Sequence, residues 1–108
     1  MTPWERCKPW IESALPYTGG AYAIADIENE MRANRMALMA GERSAMVIEI
    51  RQYPRFRDFH IFLAGGDLKE LLKFHEVAHD AARLLGCKRI STGGRASGLD
   101  AGAETIRL

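Results

Sequence analysis

Apolar residues recur along this chain with two periods, and the places where the period switches divide it into elements. Near the amino terminus the spacing is helical. Thr2-Pro3-Trp4-Glu5 has the form of a helix cap with proline at the first helical position, but Pro9 is expected to interrupt a helix continuing from it. The expectation is therefore a short turn, then a helix from Pro9 with Trp10, Ile11, Ala14 and Leu15 on one side, ended by the turn residues Pro16 to Gly20. A second helix is predicted from about Ala23 to Ala33 on the spacing of Ile24, Ile27 and Met31, with Asn34 as a left-handed terminator.

From Arg35 the period falls to two. Met36 to Met39 reads as a short strand, Gly41-Glu42-Arg43 as a hairpin turn, and Ala45 to Tyr53 as a second strand. Met46, Ile48 and Ile50 share one face of it, with Glu49, Arg51 and Tyr53 opposite. Pro54 stops that strand, and Asp58 to Ala64 forms a third, the most buried, with Phe59, Ile61 and Leu63 on one face and Phe62 on the other. Gly65-Gly66 is then expected to turn the chain into a helix reaching about Leu85 and closed by Gly86. Asp67 caps its start while Glu70 reaches back to complete a capping box. Plotted at 100° per residue, Leu68, Leu71, Leu72, Ala78, Ala82 and Leu85 form its apolar sector, with His75 and His79 inside or beside it. Cys87 to Ser91 reads as a short final strand, and the Gly/Ala/Ser-rich stretch beyond Arg95 has weak periodicity until Glu104 to Leu108.

Composition narrows the class. With 108 residues, residues 1–108 are expected to form a single domain with enough core to need neither disulfides nor a metal. The net charge of +1, from 15 basic and 14 acidic residues scattered along the chain, gives no support for a nucleic-acid surface. Cys7 and Cys87 form no Cys-x-x-Cys pair and fit free thiols in a reducing compartment. No apolar run approaches the ~18 residues that a membrane span needs, so a soluble protein is expected.

One literal catalytic motif is present, His75-Glu76-Val77-Ala78-His79. Two imidazoles one helical turn apart can share a tetrahedral zinc ion, and the intervening glutamate can take a proton from metal-bound water. Three features count against this zinc hydrolase reading. Asp80 follows the second histidine, where the zincin pattern wants an uncharged residue, and no third histidine follows at metzincin spacing. The only acidic residues beyond the helix, Asp100 and Glu104, lie in a stretch with no helical pattern to present a third ligand. The plainer reading makes His75 and His79 half-buried residues at a helix edge.

The order of two helices, three antiparallel strands, a central helix and a strand resembles a compact GNAT (N-acetyltransferase) fold, an α+β fold with a mostly antiparallel sheet. Several stretches are similar to small GNAT-like proteins of unassigned role encoded by phages and prophages of proteobacteria. These are Cys7-Lys8-Pro9-Trp10-Ile11 with Ala14-Leu15, Ala25-Asp26-Ile27, Val47-Ile48-Glu49-Ile50, Tyr53-Pro54-Arg55, Leu63-Ala64-Gly65-Gly66-Asp67-Leu68 with Glu70-Leu71, Gly86-Cys87, and Gly94-Arg95. The phage group tends to follow Gly-Arg with Gly-Trp, whereas Arg95 is followed here by Ala96-Ser97-Gly98.

Acetyltransferases of this fold hold the acetyl-CoA pyrophosphate with a Gln/Arg-x-x-Gly-x-Gly/Ala loop before the central helix, where backbone amides face the anion. The corresponding place here reads Phe62-Leu63-Ala64-Gly65-Gly66-Asp67, which is shorter and sets a carboxylate at the helix start. The resemblance thus implies a degenerate scaffold acting without catalysis, as a virion or virion-assembly component in the host cytoplasm or the particle. No cofactor is expected. Its partner would be a protein such as a phage structural protein or portal-type ring, or a second copy of the chain, and the residues named for that contact are Tyr53, Arg55, Arg57 and Arg95. The alternatives are an acetyl-CoA-dependent N-acetyltransferase with Glu49 as base and Gly65 and Gly66 at the cofactor, and the zinc enzyme of His75, Glu76 and His79.

Overall fold

A computed structural model describes residues 2–92 in full and the backbone of residues 105–107. Helix α1 runs unbroken from Pro3 to Ala14, so Pro9 lies inside it rather than at its start. Thr2 caps the helix, its hydroxyl accepting from the Glu5 amide at 3.1 Å. Packing overrides the local cost of proline: Cys7, Ile11 and Ala14, one helical turn apart, are all fully buried, while Pro9 and Glu5, whose carbonyl loses its donor, are exposed. A 3-10 turn at Leu15–Thr18 follows, then α2 at Ile24–Arg32, begun by Asp26 accepting from the Ala23 amide at 2.8 Å. Asn34 ends that region with φ of 60°, as its type favours.

The strands are β1 (Ala37–Ala40), β2 (Ser44–Gln52), β3 (Arg57–Gly66), β4 (Cys87–Thr92) and β5 (Thr105–Arg107), in that order across one mixed sheet. β1, β2 and β3 form an antiparallel meander, β4 joins β3 in parallel, and β5 adds antiparallel to β4. The parallel step requires a crossover, supplied by α3 (Leu68–Leu84). β5 falls within residues 104–108, where the weak periodicity of the Gly/Ala/Ser-rich stretch ends, and it follows the strand expected to be the last. Among the described residues, no helix is long and apolar enough to cross a membrane.

Two cores flank the sheet. Met46, Ile48, Phe59, Ile61, Ala64 and Ile90 meet Leu71, Ala78 and Ala82 of α3 on one face. Ala45, Val47 and Leu63 meet Cys7, Ile11, Ala14 and Ile27 of α1 and α2 on the other. β3 serves both because its register slips by one residue at Phe62: Val47 pairs with Leu63, but Ile48 pairs with Ile61. This bulge reverses the alternation and sends Leu63 to the face opposite Phe59 and Ile61, correcting the strictly alternating expectation. On α3 the buried stripe is Leu71, Ala78 and Ala82, narrower than expected. Leu68, Leu72 and Leu85 are exposed, because a helix lying on a sheet through two alanines covers only a thin strip of itself.

Candidate functional site

The amino end of α3 is where the acetyltransferase alternative would set its cofactor, and its backbone is already engaged. Gly65 and Gly66 continue β3 rather than forming a turn, pairing with Ala45 and Ser44 of β2. A Cβ on Gly65 would lie 2.3 Å from the Trp10 carbonyl oxygen of α1. One on Gly66, whose φ is 109°, would lie 2.4 Å from the Arg43 carbonyl oxygen and 2.6 Å from the Ser44 Cα. Close backbone approach therefore accounts for both glycines.

The amide of Asp67 donates to the Arg43 carbonyl at 2.9 Å, and its carboxylate accepts from the Glu70 amide at 3.1 Å. Glu70 does not close a capping box. Its carboxylate instead accepts from the Arg43 amide at 3.0 Å and from the buried Ser44 hydroxyl at 2.5 Å, stapling the β1–β2 turn onto the helix. Those bonds, that from Ser44 first, hold the Glu70 carboxyl below its ordinary range. Arg6 adds a third tie through the Gly41 carbonyl at 2.8 Å.

A second concentration of polar groups lies on the sheet face that also carries Val47 and Leu63. Cross-strand pairing sets Glu49, His60 and Ser91 in one row and Arg51, Asp58 and Arg89 in the next. Asp58 is fully buried, and His60 and Ser91 nearly so. Asp58 accepts from the Ser91 hydroxyl at 2.7 Å through Oδ2, and its Oδ1 lies 3.2 Å from Arg89 Nε, an ionic contact without hydrogen-bond alignment. Arg89 is held in turn by two rings, its guanidinium carbon lying 4.7 Å from the Phe56 centroid and 5.3 Å from that of Tyr53. His60 Nδ1 is 2.9 Å from Ser91 Oγ, and burial, followed by the nearby Arg51, lowers the imidazole's affinity for a proton.

The direction of the hydroxyl decides what this cluster can do. A carboxylate paired with arginine only accepts, so the single Ser91 proton is committed to Asp58, and Ser91 takes a bond from His60 rather than giving one. A serine nucleophile needs the opposite polarity, with its proton directed at the imidazole. The grouping is not a hydrolytic triad. The sequence signal for it was the pairing of Asp58 and His60 two apart with Arg89 and Ser91 two apart, in strands otherwise judged by their apolar residues.

The residues singled out in the sequence scatter over the molecule. Glu49 is half-buried, bound to Arg51 at 2.8 Å, and lines a shallow depression with Asn34, Arg35 and Ile50 where β1 stops short of the end of β2. His75 and His79 sit partly buried on α3 with Glu76 exposed beside them. Among the described residues no group of three potential ligands could hold a metal ion. Tyr53 stacks on Phe56 with centroids 5.2 Å apart, and Arg57 donates to the Leu85 carbonyl at 3.0 Å, satisfying the carboxyl end of α3. Arg55 is exposed, and Arg95, Asp100 and Glu104 lie outside the described residues. No protein-family model, curated protein or solved structure matches the chain.

Proposed function

We propose that this chain is a noncatalytic, protein-binding component of a bacteriophage particle or of its assembly, carried on a degenerate GNAT-like scaffold. The reading rests on the amino end of α3. Gly65 is packed against α1, Gly66 against the β1–β2 turn, the Asp67 amide is spent on Arg43, and the Asp67 carboxylate takes the Glu70 amide. An acetyl-CoA pyrophosphate at this end of the helix would have to displace a carboxylate from its capping bond and remain beside its negative charge. The scaffold half of the proposal is supported by the element order, two helices, an antiparallel meander, and a helix linking β3 to a parallel β4. The Ser91 polarity adds to the case against catalysis by removing, among the described residues, the buried hydroxyl that has a histidine beside it.

Titration calorimetry with acetyl-CoA and with coenzyme A tests the enzymatic alternative, and the expected result is no saturable heat up to millimolar ligand. Binding at micromolar concentration would replace this proposal with an N-acetyltransferase. The partner half is tested by mass spectrometry of purified particles from the replicon that encodes the chain. Recovery with particles or a portal-type ring is expected, and recovery solely as free protein in the lysate would refute the assembly role.

A further inference from the structure

We infer that His60, Ser91 and Asp58 form a one-directional hydrogen-bond relay that latches β3 to β4, and that the seam is weakened by the charge placed in it when His60 is protonated. Asp58 and His60 belong to β3 and Ser91 to β4, so the relay crosses the parallel seam, 31 residues apart at His60–Ser91 and 33 at Asp58–Ser91. Its polarity follows from Arg89, which fixes Asp58 as an acceptor, so that the Ser91 proton points to Asp58 and the Nδ1 proton of His60 points to Ser91. A neutral ring then carries its single proton on Nδ1.

Protonation leaves the Nδ1 donor in place but adds a second donor, at Nε2, and a positive charge to a ring that is 3% exposed. Among the described residues the charged groups facing it are Glu49 and Arg51 from β2, Asp58 from its own strand and Arg89 from β4. The two carboxylates are already engaged, Glu49 by Arg51 at 2.8 Å and Asp58 by Arg89 at 3.2 Å. The imidazolium therefore enters a row whose carboxylates are each already paired with an arginine, and desolvation counts against it. Acid weakens the seam that α3 spans, a property independent of whether the chain binds a cofactor.

Long-range proton–nitrogen correlation spectra of the full chain near neutral pH test the relay directly. A His60 ring protonated on Nδ1 is expected, and an Nε2-protonated ring would overturn the assignment. Hydrogen-exchange protection factors of the β4 amides, compared at about pH 7.5 and about pH 5.5, test the latch. A loss of severalfold or more is expected in the wild type and in His75→Gln/His79→Gln. The loss should disappear in His60→Asn, whose side-chain amide can stand at the Nδ1 position without titrating in this range. Equal protection at the two pH values in the wild type would refute the latch even if His60→Asn does not fold.

Discussion

Gly65→Ala separates a structural glycine from one kept open for a cofactor. The new methyl would sit 2.3 Å from the Trp10 carbonyl oxygen and 2.9 Å from its carbonyl carbon, whereas ordinary contact begins at 3.4 Å. The obstacle is the backbone of α1, not a side chain that can swing away, so α1 and β3 must part by about 1 Å along a close-packed seam. Overpacking of this kind costs about 1–3 kcal/mol, and the lower entropy of alanine in the unfolded chain returns about 0.4–1 kcal/mol. The net expectation is a destabilisation of about 1.3 kcal/mol. For a domain of this size that lowers the melting midpoint by roughly 5–10 °C in a circular-dichroism melt, with a matching shift in urea. Gly19→Ala is the control, since φ there is 66° but nothing lies within 4 Å, leaving only a left-handed-backbone cost of about 1 kcal/mol. A Gly65→Ala protein within about 0.5 kcal/mol of wild type would show that α1 is not seated on that glycine, and would remove the structural account of the Gly-Gly pair.

Arg89→Met leaves Asp58 as a buried charge without a counter-ion and should cost about 3–5 kcal/mol by urea denaturation; adding Asp58→Asn should recover a good part, and no recovery would disprove the pairing. Glu70→Gln should lower stability by about 1–3 kcal/mol at neutral pH, because the buried Ser44 hydroxyl loses a charged acceptor. The Glu70 carboxyl sits below its ordinary value of 4.5 in the folded protein, so its contribution is complete above that pH and lost as pH falls through the folded value. An acid-unfolding curve no shallower in Glu70→Gln would refute this. His75→Ala/His79→Ala should stay within about 1 kcal/mol of wild type, and chelator-free wild-type protein should carry no stoichiometric zinc by elemental analysis; near-stoichiometric zinc would revive the hydrolase.

Periodicity made the meander, both amphipathic helices and the Gly86 stop readable, because each depends on residues close in sequence. Its failures have a shared cause in distant contacts. Pro9 signals a helix break, yet Cys7, Ile11 and Ala14 gain more against the sheet than the lost bond costs. Alternation placed Leu63 with Phe59, and only the pairing of β2 with β3 reveals the extra residue at Phe62. Gly65-Gly66 looks like a turn until the Trp10 and Arg43 carbonyls appear above it. The Glu70 carboxylate was assigned to its own helix, but the amide it satisfies belongs to a residue 27 positions away. The polar cluster was invisible for the same reason, since Asp58, His60, Arg89 and Ser91 acquire meaning only when β4 lies beside β3.

The parallel placement of β4 also bears on how the chain comes into being during synthesis. The first three strands can assemble from neighbouring stretches as they leave the ribosome, whereas β4 arrives only after the whole of α3 has been made. Until then Asp58 is a carboxylate in a half-built interior, lacking Arg89 and Ser91, and water must remain around it. Burial of Asp58 with its partners therefore waits until β4 has been made.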